Sequence, residues 1–449
     1  MKRQRSGKRK SRWRLIRRHN IRKGIEAEKI NDIKIRQEKE MQYQMSYMKK
    51  TTVSLLLVLS LLAALMAPAG AVFGQKPDPL QFNEDGSFTI LQISDTQDTQ
   101  YPSPNVMTLI EKAMDESQPD LVIFTGDQLK NYDSDFDGGN LERKVQQAID
   151  AIVRPVERRG IPFAVVYGNH DDAIEVSKED QLKMYQRHSL CLMRDDEPEI
   201  SGCGNYNLPI LSSDGQRTAF NLYLLDSHGG GGGTYDYIKQ DQIDWYVRTS
   251  NALKAANGGR PVPSMEFQHI PLPELRTVAD EGLIHTGENN EGVAGPYYNS
   301  GFFDAMVEQG DVIAAFCGHN HTNSYIGTLE GIDLGFTPGA GFNEYGSGME
   351  RGVRVIKLNE SDLSTYQTYL LTFAGLLGDN PITRLRYRLF TVGELDSDNV
   401  RNMVKTVLGE VVSAVLYLIK TSQGNPVTIV KEVFQFFGAD VDYFAGFFH

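Results

Sequence analysis

The chain has 449 residues and a formal net charge of −12, and its length allows up to about three domains. The charge is uneven, because residues 1–50 carry 18 Lys and Arg against 5 Asp and Glu, while the rest of the chain carries 28 against 53. An acidic body repels the phosphate backbone of DNA and RNA, which argues against nucleic acid as a structural partner.

Segment 48–71 has the features of a secretory signal. Two lysines precede an uncharged apolar run at 53–66, and small residues follow at 67–71. The run is shorter than the roughly twenty apolar residues that a membrane span needs. We predict a signal peptide cleaved near Ala69 or Ala71 and a secreted or extracytoplasmic protein, with an uncleaved N-terminal membrane anchor as the alternative.

A basic extension, residues 1–47, precedes this signal. Signal peptides begin a few residues before their apolar run, so one interpretation is that the working protein starts at Met48 and that the extension comes from an upstream start. The other interpretation is a cytoplasmic tail on an uncleaved anchor.

The chain contains three cysteines. In an exported protein, Cys191 and Cys203 are placed to close a short disulfide loop. Cys317 is then unpaired, and its position in an apolar run predicts that it is buried.

After the signal segment, short β-rich runs alternate with helical stretches, which predicts one α/β domain over residues 86–375. Strand character is found at 88–94, 121–126, 163–168, 221–226, 265–269, 312–318 and 353–358. Helical spacing over 104–117 and 141–158 gives the first part of the domain a β-α-β-α-β order. The polar, glycine-bearing segments 195–215 and 229–233 are predicted loops.

The C-terminal region 395–449 differs from the domain before it. Apolar residues recur at helical spacing from Val400 to Leu416, and Gly424 with Pro426 ends that stretch. A second amphipathic stretch and an aromatic-rich tail follow. We predict a helical extension that packs on the main domain or on a partner, with the cell envelope as one such partner.

Polar clusters follow five of the predicted strands, where the carboxyl ends of strands present loops to a ligand. The clusters are Asp95-Thr96-Gln97, Gly126-Asp127, Gly168-Asn169-His170-Asp171, Gln268-His269 and Gly318-His319-Asn320-His321. Carboxylates, imidazoles and an amide oxygen suit Mn, Fe, Zn or similar divalent ions. Two such ions activate water and neutralise the charge that develops on a phosphate ester during hydrolysis.

The order and spacing of these clusters resemble the calcineurin-like metallophosphoesterase family, whose pattern is D-x-H, G-D, G-N-H-[DE], a lone His and G-H-x-H. The segments FTILQISDTQ, FTGDQ, VVYGNHDD, YDYIKQDQIDWY, FQHIPLPE and FCGHNHTNSY are similar to the branch related to purple acid phosphatases. The resemblance covers residues 86–375. It implies an α/β fold, a four-layer α/β/β/α sandwich of two mixed sheets, to which the C-terminal helices are an extension.

The resemblance also implies a role for each polar residue of the clusters. It makes Asp127 a carboxylate that bridges two divalent metal ions. The other ligands fall into two groups, Asp95 and His321 on one ion, and Asn169, His269 and His319 on the other. His170 then faces the substrate and stabilises the transferred phosphoryl group or protonates the leaving oxygen, and Asp171 orients His170 from behind.

Two positions depart from the family pattern. Gln97 stands where the first motif usually has His, so we expect the first ion to be weakly held, to rely on Gln97 or a neighbour such as Asp98, or to be absent in some conditions. Purple acid phosphatases have an iron-binding Tyr three positions after the bridging Asp, where this chain has Lys130, and Tyr132 is out of step. We therefore do not assign iron.

Other polar residues are weaker candidates. His188, His228 and His285 lie outside the motifs and are expected to be solvated or locally hydrogen-bonded, although His228 beside the glycine run is placed to approach substrate. Glu344 and Tyr345 resemble a family loop at the mouth of the site, and a simple glycine-rich turn explains the same residues.

The sequence thus predicts an exported metallophosphoesterase that hydrolyses phosphate monoesters. The same metal core serves phosphodiesterases that act on cyclic nucleotides, phospholipid head groups or envelope polymers, which is the alternative. A third hypothesis is a non-catalytic envelope-binding protein in which Gln97 marks a degraded site.

Overall fold

The computed structural model describes residues 78–130, 136, 139–231, 234–391 and 400–423. The predicted extension at 1–47, the predicted signal at 48–71, Tyr132 and the aromatic-rich tail lie outside the described residues. Among the helices within these ranges, none is long and apolar enough to span a bilayer.

The first sheet contains β1 (Ser87–Ile93), β2 (Leu121–Thr125), β3 (Phe163–Val166), β13 (Gly352–Asn359) and β14 (Asp362–Thr372). The strands lie in the order β14-β13-β1-β2-β3, with β1, β2 and β3 parallel and the other two antiparallel to their neighbours. Parallel neighbours need crossover connections, which α1 (Pro104–Ser117) and α2 (Leu141–Glu157) provide. Helix α1 begins where the side chain of Ser103 accepts the backbone N–H of Asn105 and where Pro104 supplies a preset φ.

The second sheet contains β4 (Tyr206–Leu211), β5 (Thr218–Leu224), β8 (Ser264–Phe267), β9 (Ile284–Thr286), β10 (Val312–Cys317), β11 (Ile326–Leu329) and β12 (Ile332–Phe336). Their order is β4-β5-β8-β10-β12-β11-β9. The four central strands are parallel and the strands at both edges are antiparallel. Strands β6 (Gly230–Gly231) and β7 (Thr234–Tyr235) form a separate antiparallel ribbon.

The remaining helices are numbered in chain order and lie between or after the strands. They are α3 (Asn169–Asp172), α4 (Lys178–Tyr185), α5 (Gln240–Ala256), α6 (Glu274–Asp280), α7 (Phe302–Gln309), α8 (Phe373–Leu377), α9 (Pro381–Leu389) and α10 (Val400–Thr421). Helix α9 is fixed to α1 by Arg386, whose guanidinium donates to the carbonyl of Pro104 and to the hydroxyl of Thr108.

Alternate residues of the second sheet enter two different cores. In β10, Ala314 and Phe316 join the core that contains the first sheet, whereas Ala315 and Cys317 join a second core with Trp245 of α5. Successive side chains of a strand point to opposite faces, so both faces of this sheet are covered. This is why its central strands are continuous apolar runs, and it confirms the predicted four-layer α/β/β/α sandwich of two mixed sheets.

The predicted loops are partly wrong. Segment 195–215 contains β4, in which Tyr206, Leu208 and Ile210 alternate into the core. Pro209 conceals this pattern in the sequence, but a proline is tolerated because β4 is the edge strand of its sheet. In the glycine run, Gly230 and Gly231 pair with the following residues, while 232–233 lie outside the described residues.

The predicted disulfide is wrong, because all three cysteines are free. Cys191 pairs with Phe163 at the edge of the first sheet, whereas the backbone N–H of Cys203 donates to Asp226 after strand β5 of the second sheet. Cys317 is buried, as predicted.

Candidate metal centre

The polar clusters that follow β1, β2, β3, β8 and β10 converge at one end of the sandwich. The ligand atoms of Asp127, His269 and His319 all lie within 4.8 Å of one another, and all three residues are buried. Asp95 and His321 extend this group, because His321 Nε2 lies 3.3 Å from Asp95 Oδ1. The site is therefore assembled from both sheets.

Asp127 lies at the middle of the group. Its Oδ2 is 3.2 Å from His269 Nε2 and 3.3 Å from the side-chain nitrogen of Gln97. His269 Nε2 is also 3.9 Å from Asp95 Oδ1, and His319 Nδ1 is 3.3 Å from His269 Nε2. Asp95 and Asp127 thus both approach the same imidazole nitrogen.

Two of the histidines are oriented by backbone carbonyls. His269 Nδ1 lies 2.9 Å from the carbonyl oxygen of Thr125, and His321 Nδ1 lies 2.9 Å from that of Tyr345. A carbonyl oxygen only accepts, so each Nδ1 carries a proton and each Nε2 faces the carboxylates. Loss of the proton from Nε2 would leave this atom as the metal ligand. Hydrogen bonds of this kind orient the imidazole ligands of metal sites.

Several buried polar atoms at the site have no hydrogen-bond partner among the described residues. They are Asp95 Oδ1, Gln97 Oε1, Asn169 Oδ1, His170 Nδ1 and His319 Nε2. Such groups are costly to bury unpaired. The three oxygens are hard donors with free lone pairs, so the residues present fit divalent metal ions, and Gln97 fits as a ligand through Oε1.

The backbone adopts rare conformations at the site. The angle φ is +54° at Asp95, +42° at Gln97, +55° at Asp127 and +71° at His319. Positive φ costs energy in residues other than glycine and is concentrated at functional sites. Gly126 also has φ +93°, and a Cβ there would lie 2.3 Å from His269 Nδ1. These backbone conformations at the strand ends direct the candidate ligand side chains toward the metal centre.

The carboxylates stabilise positive charge at the centre of the site. Burial disfavours ionisation of Asp127, but the charges of His269 and His170 outweigh burial and lower the pKa of this carboxyl. Burial also disfavours charge on His269, yet the Asp127 carboxylate raises the pKa of this imidazole to about 10. A metal ion needs the neutral imidazole, so metal binding would displace that proton.

His170 lies at the rim of the site, with 21% of its side chain exposed. Its backbone N–H donates to Asp127 Oδ1 over 2.8 Å, and its Nε2 lies 3.7 Å from Asp127 Oδ2. The structure thus places this imidazole beside the candidate metal centre and open to solvent.

The predicted contact between Asp171 and His170 is wrong. The Asp171 carboxylate instead accepts the backbone N–H groups of Gly168, Asp127 and Leu129 at 2.8–2.9 Å. In the α3 turn, the side chain of Asp171 is fully buried, whereas the side chain of His170 is partly exposed at the opening of the site. Asp171 therefore joins the loop that follows β2 to the loop that follows β3, and it affects the site by fixing the position of Asp127.

Two tyrosines cover the metal-ligand candidates. The ring of Tyr345, proposed from the sequence, stacks on His321 with centroids 4.2 Å apart and planes within 10°. The ring of Tyr235 meets His319 edge-on at 4.3 Å. Tyr235 is the first residue of the segment YDYIKQDQIDWY, which carries part of the family resemblance, but no role for its ring was predicted from the sequence.

The weaker candidates lie outside this cluster. His188 contacts Asp150 and Glu157 of α2, and His285 lies 3.6 Å from Asp333. His228 is tied to Gln242, with Nε2 2.9 Å from the amide oxygen.

Two further positions that the sequence raised contact the adjacent residues Asn343 and Glu344. Lys130, at the position of the iron-binding tyrosine, is 3.7 Å from Glu344. Asp98 accepts hydrogen bonds from Ser103 and Asn343.

The match to a known family agrees with this geometry. Residues 88–323 match the model of the calcineurin-like phosphoesterases. The chain belongs to this family, a class of metal-dependent phosphoric ester hydrolases, and its cluster around Asp127 is a candidate metal site.

The individual relatives indicate the branch of the family that contains purple acid phosphatase-like proteins. The chain is 32% identical to "Probable inactive purple acid phosphatase 14" of Arabidopsis thaliana, over 64% of this chain and 78% of that protein. It is 31% identical to "Phosphatase DCR2" of Saccharomyces cerevisiae, over 64% of this chain and 54% of that protein. A solved dimetal phosphatase from Danio rerio shares 12% identity with a TM-score of 0.40, covering 65% of this chain and 99% of that one.

Proposed function

We propose that this chain is an exported phosphoesterase that hydrolyses phosphate monoesters with two divalent metal ions. The observation that carries the proposal is the buried Asp127 carboxylate, with His269 at 3.2 Å and the rim imidazole of His170 at 3.7 Å. Preference for monoesters is supported by a relative named as a phosphatase, and export is supported by the signal-like segment 48–71.

The candidate ligands form two groups that share Asp127. Asp95, His321 and the amide oxygen of Gln97 would hold one ion, and Asn169, His269 and His319 would hold the other, with Asp127 shared. When bound, the ions supply an acidified water for attack on phosphorus and neutralise charge on the phosphate oxygens. The protein fixes the ligands beforehand through the carbonyls of Thr125 and Tyr345.

His170 is the candidate hydrogen-bond and proton donor on the solvent-exposed side of the site. Its partly exposed imidazole is placed to donate a hydrogen bond to a phosphoryl oxygen and to give a proton to the leaving alcohol oxygen. The hydrogen bond from its backbone to Asp127 keeps the ring near the shared carboxylate. Asp171 contributes by holding the Asp127 loop in place.

The test is hydrolysis of p-nitrophenyl phosphate and of bis(p-nitrophenyl) phosphate by the mature protein with added manganese. We expect turnover of the monoester that is lost in Asp127→Asn and reduced about 10²- to 10⁴-fold in His170→Ala. Preference for the diester would move the function to a phosphodiesterase.

A metal-loaded protein that turns over neither ester would contradict catalysis. This outcome matters because three of the relatives are named as probable inactive phosphatases. It would favour the non-catalytic hypothesis raised by Gln97.

A further inference from the structure

A cavity of about 430 Å³ opens beside the candidate metal centre. Its wall includes Tyr235, whose ring edge lies on the metal-ligand candidate His319. The wall also includes Gly229, where an added Cβ would lie 3.6 Å from Cα of Asn169. The cavity therefore adjoins two candidate ligands of the same metal ion, where the alcohol part of a bound phosphate ester can lie.

The cavity has an aromatic wall, in which the ammonium group of Lys239 lies over one ring, 3.7 Å from the centroid of Tyr237. Tyr235, Tyr237 and Tyr298 line it, and the rings of Tyr237 and Tyr298 lie 4.6 Å apart with an interplanar angle of 45°. Tyr298 is 61% exposed, which leaves much of its ring available to a ligand. Aromatic pairs prefer offset or edge-to-face contacts at these separations, so a planar ring fits such a wall.

The two carboxylates of the cavity wall lie next to lysines. Asp172 lies 3.5 Å from Lys178, which is closer to Asp226 at 2.7 Å, and Asp236 is ion-paired with Lys239. Among the described residues that line the cavity, none is Lys or Arg. Both carboxylates of the wall thus already contact a lysine ammonium group, and the imidazole of His228 is the basic side chain among the described lining residues.

We propose that this cavity binds the alcohol part of the phosphate ester and that this part carries an aromatic ring. The proposal rests on the proposed phosphoesterase function and names its substrate class. A volume of 430 Å³ lies within the range of small-molecule sites. Tyr298 is then a specificity-determining residue at the outer end of the site.

The first test compares Tyr298→Ala with Tyr297→Ala, a matched control. Tyr297 is the neighbouring tyrosine, is 86% exposed, and lies on Arg276 rather than in the cavity wall. The substrates are benzyl phosphate and glycerol 3-phosphate, which both release an alkyl alcohol, so the aromatic ring is the main difference between them.

We expect Tyr298→Ala to lower kcat/KM for benzyl phosphate roughly three- to tenfold, the effect of one aromatic contact, and to leave glycerol 3-phosphate unchanged. Tyr297→Ala should match the wild type with both. Equal effects on both substrates, no effect on either, or a preference of the wild type for choline phosphate would overturn the proposal. Adenosine 5′-monophosphate and O-phosphotyrosine then distinguish a nucleobase from a phenol ring.

A binding measurement separates this proposal from the proposed function. Calorimetry of the manganese-loaded protein compares phenylphosphonate with methylphosphonate, neither of which is hydrolysed. Tighter binding of phenylphosphonate that is lost in Tyr298→Ala supports the aromatic site even if no ester is turned over. Equal binding of the two phosphonates contradicts it even if monoesters are hydrolysed.

Discussion

The backbone N–H of His319 donates to Asp95 Oδ2 over 3.0 Å, although the two residues are 224 positions apart in the sequence. Asp95 follows β1 of the first sheet, and His319 follows β10 of the second. This hydrogen bond ties the two halves of the candidate metal centre together, and it leaves Asp95 Oδ1 directed toward the imidazoles of His269 and His321.

Replacing Asp95 with Asn tests this relationship. The amide oxygen can still accept from His319, but the negative charge that faces His269 and His321 is removed. We expect at least about a tenfold loss of metal affinity, with little change in fold. Elemental analysis after dialysis measures the metal content, and circular dichroism serves as the control. Unchanged metal content in Asp95→Asn would exclude Asp95 as a ligand.

Asp171 is expected to affect stability more than proton transfer. Asp171→Ala leaves three buried N–H groups unpaired, each of which costs about 1–3 kcal/mol. The free energy of unfolding should fall by several kcal/mol, and Asp171→Asn should recover part of it. The pH profile of kcat in Asp171→Asn should keep the wild-type shape, because Asp171 does not contact His170. A shifted profile would restore the role that the sequence suggested.

Tyr345 is expected to act through the packing of His321. Its ring stacks on the imidazole, while the hydrogen bond from His321 comes to its backbone carbonyl. Tyr345→Ala removes the stacking, worth about 0.5–1.5 kcal/mol, together with the exposed hydrogen bond from the Tyr345 hydroxyl to Glu291, and should lower kcat/KM about two- to tenfold. Tyr369→Ala, on β14, is the control and should have no effect on kcat/KM. Equal activity of both variants would show that the stacking has no part in the site.

Glu266 is expected to make stability depend on pH. It is fully buried, both carboxyl oxygens lack a partner among the described residues, and burial raises its pKa well above the usual value. The protonated form is stable in the fold, so its contribution is present below the unfolded pKa of about 4.5 and is lost as pH rises toward the folded pKa.

The variant Glu266→Gln tests this prediction because the amide cannot ionise. The stabilisation by this substitution should grow between pH 5 and pH 8 by up to about 1.4 kcal/mol per pH unit. Thermal unfolding at several pH values measures it. Parallel stability curves for the wild type and Glu266→Gln would contradict the buried neutral carboxyl.

The positions of most site residues were predictable because apolar strands end directly in polar motifs. Asp127 and His319 follow uninterrupted β-rich runs, and parallel strands bring such ends to one edge. The direction of the Asp171 side chain was not predictable, since adjacency to His170 does not say which way each residue of a turn points. The contact between Tyr235 and His319 joins segments far apart in the chain and has no local signature.

The fold shows the same division between local and long-range information. The helix over Pro104–Ser117 follows from its cap and its apolar spacing. Strand β4 was missed because Pro209 breaks the local pattern, and only its pairing with β5 reveals it. Contacts that depend on the packing of distant segments therefore needed the structure.

The central claim is a phosphoesterase that works with metal ions shared at Asp127. The most direct measurement is the rate of p-nitrophenyl phosphate hydrolysis by metal-free protein as manganese is added, with Asp127→Asn measured alongside. We predict that the rate rises from near zero and saturates at two ions per chain, and that Asp127→Asn stays flat. Turnover that does not depend on added metal, or that survives in Asp127→Asn, would contradict the account.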